Sequence, residues 1–459
     1  MPDSPSLLFV LSAAYPFGTG EVFLENELPY LAEAFDEVII FPMFSEGKQR
    51  ELPTAQAIEV VPPEPGTTSR KAEFLRGIEW SEGLFFREWR RAPGFPFSAS
   101  VLYRVARTLG IARRIRHTLL RYAKARELPQ NGAGITIYSY WMMQACLGGI
   151  LAGKQLGAPV VSRAHGGDLY TERYARSYLP WQEWKLRQLT GVLPVAQAGA
   201  DYLQQRYPAV RSEIAGKMRV SRLGVRSRGQ LRHRPGEVQR RRFHLVSCSS
   251  VYDLKRVPHI YEVFCALRRL LPDSTLRWTH IGDGAGFNDL LERLTQEIGK
   301  PATEKGFTCF RICEPEAGQT DEIRLTGNLP NARIIPYYIE EEADVFINYS
   351  TSEGIPVSIM EAFSAGIPAA APDVGGIHEL MGDGTEAPRL PAGGISRVAA
   401  GLLFSADAPP QRVAEAIAGL YKENAWPDKG RAAREKWAAE YDADANYKAF
   451  ARFLKEIKR

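Results

Sequence analysis

Short, uninterrupted apolar runs alternate with helix-spaced stretches in this chain, in two successive series. The first series opens with Leu7-Leu-Phe-Val-Leu11 and a glycine-bearing turn, Tyr15 to Gly20. Apolar positions at helical spacing follow (Phe23, Leu24, Leu28, Leu31, Ala32), then a second run, Val38-Ile-Ile-Phe41. Further strands are expected at 135–138, 159–162 and 191–195. The second series restarts at 243–247 and continues at 276–281, 332–335, 344–349 and 367–371. Apolar runs this short, bounded by turn signals, fit strands buried on both faces, and parallel neighbours need helical crossovers. The pattern therefore predicts an α/β chain with two Rossmann-like parallel-sheet domains facing across a cleft. Ligands in such sheets sit beyond the carboxyl ends of the strands.

The expected boundaries are 1–225 for the first domain and 240–430 for the second. Residues 431–459 read as one long C-terminal helix packing back toward the first domain. Between the domains, Arg222 to Arg242 holds eight arginines, the single acid Glu237 and the turn pair Pro235-Gly236, the make-up of a linker. Hydrophobic residues are 45% and charged residues 24% of the 459, which excludes global disorder. No run of 18 apolar residues occurs, so no membrane-spanning helix is expected. Five cysteines (Cys146, Cys248, Cys265, Cys309, Cys313) are too few for a disulfide framework, and a reduced, cytoplasmic protein is the expectation. Cys309 and Cys313 fall in an insertion-like stretch, 298–322, read as a surface loop and a poor zinc site.

Net charge is +5, yet residues 101–126 alone carry eight basic side chains and no acid. Their apolar positions recur at helical spacing, and Phe85, Phe86, Trp89, Phe95 and Phe97 lie just upstream, after Trp80. Two readings stand: contact with an anionic membrane surface, or a core helix with an ordinary solvated face. No aromatic platform is interleaved with the arginines of the linker, so no nucleic-acid partner is expected.

Residues 344–380 carry the chemistry. A strand ends near Tyr349, small polar residues lead to Glu353, Pro356 stands where a helix begins, and Gly366 where it ends. The N–H groups of Gly354, Ile355, Val357 and Ser358 would crowd a helix start able to hold phosphate. Glu361, further along that helix, could accept bonds from a ribose diol. A plainer reading of Glu353 is a favourable charge near a helix start.

At these residues the sequence resembles glycosyltransferase family 4, the retaining sugar-nucleotide transferases of the GT-B fold. The shared signature is Glu353 to Glu361, Gly366-Ile-Pro368 and Val374-Gly-Gly376. The resemblance implies that Glu353 lies by the donor sugar and Glu361 binds the nucleotide ribose. It also implies a phosphate-binding loop at Ser247 to Arg256, with Lys255 matched; Ser250 stands where the family has arginine, and Arg256 is the candidate substitute. Ile281-Gly282-Asp-Gly284 resembles the family's Gly-x-Gly turn. In the first half, His165 in Arg163-Ala-His165-Gly-Gly-Asp168 matches a cleft-facing histidine, and Gly18-Thr-Gly20-Glu21 resembles a glycine-rich acceptor loop. The latter could equally be a plain strand–helix turn. By position, Tyr140, Trp141 and Asp168 line the acceptor side.

The resemblance implies a UDP- or GDP-sugar donor and a glycan or polyprenyl-linked acceptor in bacterial exopolysaccharide, capsule or lipopolysaccharide synthesis. Attachment would be peripheral, at the inner face of the cytoplasmic membrane. The catalytic candidates are Glu353 and His165. No metal or cofactor is expected, because no Asp-x-Asp clamp is evident at the donor loops. Same-face attack assisted by the leaving phosphate is the favoured mechanism, with double displacement through Glu353 as the alternative. Rival functions are a nucleotide-sugar epimerase and a non-catalytic glycan- or membrane-binding module. A dinucleotide oxidoreductase is disfavoured, since no complete G-x-G-x-x-G follows Leu11.

Overall fold

The computed structural model describes residues 5–18, 20–53, 58–78, 83–129, 131–229, 242–314, 319–382 and 389–458. Trp80 and most of the arginine-rich stretch, 230–241, lie outside the described residues. The chain forms two units, Met1–Leu223 with Ala443–Arg459, and Gly224–Asp442.

The first unit is built on β1 (Leu7–Ser12), β2 (Glu37–Pro42), β3 (Ile58–Val60), β4 (Ile135–Ser139), β5 (Val160–Ala164) and β6 (Gly191–Pro194). Every pairing is parallel and the order is β3-β2-β1-β4-β5-β6, the doubly-wound arrangement, which reverses between β1 and β4. All residues of β1, β4, β5 and β6 are buried, which is why these runs carry no alternation. Near the carboxyl end of β5 stands a charge no apolar pattern predicts. Arg163 is fully buried with Nη2 3.0 Å from Glu27 Oε2. Its Nε donates to the Tyr138 hydroxyl (3.1 Å), Nη1 donates to the Ser221 carbonyl (2.6 Å), and the guanidinium lies 3.9 Å from the centroid of the Phe450 ring. Burial pushes the Glu27 carboxyl up and Arg163 pulls it back toward the ionised form.

Phe450 belongs to the last helix. The single long helix expected at the C-terminus is two, Trp426–Glu440 in the second unit and Ala443–Glu456 in the first. They break at Tyr441, a buried residue whose N–H caps back onto the Trp437 carbonyl. In the first unit the final helix is tied down by Tyr30 O–H to Asp444 (2.6 Å) and by Lys455 to the Ala34 carbonyl (2.7 Å).

The basic segment is one helix, Ala99–Ala125, but two of its arginines turn inward and others are paired. Arg113 and Arg114 are buried: Arg113 donates to the Arg76 carbonyl (2.6 Å), and Arg114 donates to the Met43 carbonyl (2.9 Å) beside Glu73. Arg107 pairs with Glu73 (2.8 Å), Arg104 holds the Tyr178 carbonyl (2.9 Å), Arg121 pairs with Glu64, and Arg126 with Glu37 and Glu59. Part of the local excess of +8 is met by acids distant in sequence. A lipid surface cannot reach Arg113 or Arg114.

In the second unit the strands are β7 (Arg242–Cys248), β8 (Thr275–Ile281), β9 (Ala302–Glu304), β10 (Phe307–Glu314), β11 (Gln319–Leu325), β12 (Val345–Ile347), β13 (Ala369–Pro372), β14 (Ile395–Val398) and β15 (Gly401–Phe404). Their order is β14-β15-β13-β12-β7-β8-β11-β10-β9. The six central strands, β15 to β11, are parallel and repeat the doubly-wound order, now reversing between β7 and β12. β14, β10 and β9 pair antiparallel at the edges.

Two expectations are overturned here. Residues 332–335 are not a strand but part of a helix, Asn331–Glu340, whose buried Ile334, Ile335 and Tyr338 follow helical spacing. The stretch 298–322 is not a loop: it supplies β9, β10 and the start of β11, which pairs with β8 inside the parallel core. Charged residues interleaved with Cys309, Phe310, Ile323 and Leu325 hid the alternation of a half-buried strand. Cys309 and Cys313, four residues apart on β10, are separated by roughly 13 Å at strand rise, too far to share a metal.

Removing one partner of a fully buried ion pair strands the other charge. Arg163→Met is expected to lower stability by about 3–5 kcal/mol in urea unfolding, and the double variant Glu27→Gln/Arg163→Met to recover much of that loss. Equal midpoints for parent and Arg163→Met would contradict it.

Candidate functional site

Where strand order reverses between β7 and β12, the loops leaving their carboxyl ends diverge. After β7 the chain runs through the exposed Ser250 to a short 3-10 turn, Asp253–Lys255. After β12 it runs from Asn348 to Glu353. The two loops are laced together by the Thr351 N–H donating to the Leu254 carbonyl (2.9 Å). Lys255 Nζ and Glu353 Oε1 form a close, largely buried ion pair across them. Arg256, at φ 45°, donates through Nε to the Tyr349 carbonyl (2.9 Å) and through Nη2 to the Ala406 carbonyl (2.7 Å), with its guanidinium over the Tyr349 ring. Those bonds make it a tie between loops; Lys255 alone of the two reaches Glu353.

Pro356 (φ −80°, ψ 111°) precedes the helix Val357–Ser364, and no side chain caps the helix start. Ile355 and Val357 are buried beneath it. Gly375 sits at φ +50° with its α-carbon pressed on the Glu353 carbonyl; a Cβ there would lie 1.8 Å from that oxygen. Gly376 N–H donates to the Gly354 carbonyl (2.7 Å). The Gly-Gly turn thus clamps the backbone that presents Glu353. Gly282 and Gly284 act in the same way after β8: a Cβ on Gly282 would lie 2.0 Å from the Ser249 carbonyl, and Val251 N–H donates to the Asp283 carbonyl (2.9 Å).

Glu361 is buried on the helix and accepts from Asn331 Nδ2 (2.7 Å). Burial pushes its carboxyl up to about 7, against the opposing pull of Asn331 and Arg228. The residue is therefore poised to gain or lose its charge near neutrality. Asn331, the partner of Glu361, was missed by sequence reasoning; Pro330 marks a helix start there, but nothing local marks the contact with Glu361.

In the first unit the predicted residues gather at the β1–β4 reversal. The Glu21 carboxylate accepts the N–H groups of Ala13 (2.8 Å), Ala14 (2.7 Å) and Tyr15 (2.8 Å) and the Trp141 Nε1–H (2.8 Å). Four donors saturate it, so Glu21 shapes the loop. Gly18 takes φ +66° in that loop, and the Gly20 carbonyl accepts from Arg50. The His165 ring lies against the rings of Tyr140 (4.6 Å) and Trp141 (4.5 Å). Asp168 is buried and accepts N–H bonds from His165 (2.7 Å) and Met142 (2.8 Å), which fixes the loop. Both His165 ring nitrogens lack a hydrogen-bond partner among the described residues, with Nδ1 3.8 Å from Asp168 Oδ2. A buried polar pair left open in this way is costly unless something else meets it. Lys185, also missed, is buried below: its Nζ donates to the Met142 carbonyl (2.6 Å), and burial pulls it down to about 8.

Residues 242–423 match the family described as glycosyl transferases group 1. Over 126 residues the chain is 30% identical to "Putative teichuronic acid biosynthesis glycosyltransferase TuaC" of Bacillus subtilis (strain 168), a match spanning 27% of this chain and 28% of that protein's length. Among solved structures, sucrose-phosphate synthase from Thermosynechococcus elongatus superposes with a TM-score of 0.63 at 15% identity, over 98% of each chain. HepE of Anabaena, solved in complex with UDP and glucose, superposes with a TM-score of 0.58 at 17% identity, over 99% of this chain and 100% of its own. The second unit therefore carries a glycosyl transferases group 1 domain, in a chain whose two Rossmann-like units have the GT-B fold.

Proposed function

We propose that the chain is a retaining glycosyltransferase that takes a UDP- or GDP-sugar and passes the sugar to a glycan acceptor, lipid-linked, in bacterial exopolysaccharide, capsule or lipopolysaccharide synthesis. The observation that carries this is the Lys255–Glu353 pair at the β7–β12 reversal, beside the uncapped start of a helix that bears buried Glu361 further along. Similarity to a structure holding UDP and glucose supports the donor class, and the name of the Bacillus relative supports an envelope polysaccharide as product.

In this reading the diphosphate sits at the Val357 helix start, where unpaired N–H groups and the helix dipole meet it, and Lys255 turns to it as negative charge develops on departure. Glu353 lies against the donor sugar and stabilises an oxocarbenium-like centre. Acceptor attack comes from the same face as departure, the leaving phosphate taking the acceptor proton. The ribose hydroxyls donate to Glu361, steadied by Asn331. On the first unit, the unpaired ring nitrogens of His165 meet the substrate, within a pocket wall formed by Tyr140 and Trp141. No divalent metal is required, and turnover is expected to survive chelator; loss on chelation with rescue by magnesium would refute this.

Attachment to an anionic membrane surface also belongs to this proposal, but through different residues from the basic helix. No helix among the described residues is long and apolar enough to cross a membrane. Phe97 is 92% exposed, and Phe86 and Phe95, both packed on Trp89, are exposed, with exposed Arg90 one helical turn beyond Phe86. Aromatic tips with a neighbouring cation suit a headgroup layer.

Glu361→Ala is expected to weaken binding of free UDP or GDP by about 1.5–3 kcal/mol in calorimetry, whereas Glu353→Gln should spare that binding and depress turnover. Since Glu361 accepts ribose bonds best when ionised, nucleotide affinity should fall as pH drops through about 7. Phosphate titration is common to parent and Glu361→Gln, so the excess pH dependence should vanish in that variant. Identical pH profiles would remove Glu361 from the ribose.

Phe95→Ser/Phe97→Ser should reduce co-sedimentation with phosphatidylglycerol vesicles, an effect that weakens as salt shortens the Debye length to about 8 Å at 0.15 M. Substituting Arg113 or Arg114 should lower stability instead. Sedimentation unchanged in the Phe variant would refute this surface.

A further inference from the structure

The helix Leu84–Arg91 has no buried residue, yet it does not lie bare on the surface. Its Leu84, Arg87, Glu88 and Arg91, spaced three and four apart on one face, line a cavity of about 240 Å³ whose opposite wall is Trp181, Glu183, Trp184 and Arg187. Protein interiors close such gaps where they can. Here the gap is held open by a strut: the Glu88 carboxylate accepts the Tyr178 hydroxyl (2.6 Å) and the Trp181 N–H (2.7 Å).

The charges around the cavity are unevenly satisfied. Glu88 is spent on the strut. Glu183 pairs with Arg187 at 3.2 Å, and Arg187 pairs again with Glu213. Arg87 and Arg91, one helical turn apart, are exposed and have no carboxylate partner among the described residues. Two unpaired guanidinium groups side by side suit a single carboxylate or phosphate, which each can hold through two N–H groups. Beside them the Trp184 indole offers a flat apolar wall with Lys154 Nζ 4.9 Å from its centroid. The volume lies below the 300–1,000 Å³ typical of drug-sized ligand sites, which leaves room for one ring and an acid group.

We propose that this cavity binds a single anionic sugar unit, the ring against Trp184 and the phosphate or carboxylate on Arg87 and Arg91. The inference rests on the first unit alone and is independent of the donor reading for the second. Such a site would grip an acidic residue of a glycan, or a sugar phosphate.

Indole N–H signals of the intact protein, titrated with glucose 6-phosphate, glucuronate, glucose and inorganic phosphate, test this. Trp184→Phe assigns the reporting signal. Shifts at Trp184 are expected with one or both acidic sugars, at least tenfold weaker with glucose or phosphate alone, and weakened at least tenfold in Arg87→Ser/Arg91→Ser. A response to glucuronate alone identifies an acidic glycan residue as the ligand, and one to glucose 6-phosphate alone a sugar phosphate. No shift, an equal response to glucose, or an undiminished response in the double variant would overturn it. Binding of UDP to the double variant should stay unchanged, so failure here leaves the donor reading standing.

Discussion

A parallel sheet sends every strand's following loop to the same end, and at the one place where strand order reverses two of those loops part. The second unit's site depends on that constraint. Backbone bonds, Thr351 N–H to the Leu254 carbonyl and Gly376 N–H to the Gly354 carbonyl, fix the parted loops before any ligand arrives. Lys255 and Glu353 then face one another as a consequence of main-chain geometry. Side chains at Gly282 and Gly375 would collide with neighbouring carbonyls, so the glycines near the site serve approach of backbone to backbone.

Buried charge is used in two distinct ways. In the first unit, Arg163 is surrounded by Glu27, Tyr138, Ser221 and Phe450 and joins the sheet to the final helix, its charge met by the Glu27 carboxylate. Glu361 and His165 are also buried but only partly met, Glu361 by one amide and His165 by no ring-nitrogen partner among the described residues. An incompletely satisfied buried group costs stability unless another partner meets it.

The sheets and their crossovers were legible because strands buried on both faces read as continuous apolar runs, as in Leu7 to Leu11 and Phe243 to Ser247. Strands with one mixed face were not: β10 and β11 hide Phe310, Ile323 and Leu325 among charges, and the apolar Ile334-Ile335 pair belongs to a helix. In the second unit the meeting of Lys255 and Glu353 was foreshadowed by their places just after β7 and β12, the strands between which the order reverses. Asn331 and Lys185 were illegible because each acts through a partner that only folding brings near.

By itself the sequence determined the α/β class, the doubled strand series and the loop that carries Glu353, all of which follow from local periodicity and turn chemistry. Tertiary structure alone decided where the charges go. The run of arginines at 104–126 looks like a cationic face, yet Glu73, Glu64, Glu59 and Glu37 meet several of its members from far away in the chain. Likewise Glu21 looks like a ligand-binding acid and proves to be a loop clamp with four donors. The physical reason is range: hydrophobic periodicity is written into neighbouring residues, whereas the energy of a buried charge depends on partners whose separation in sequence carries no signal.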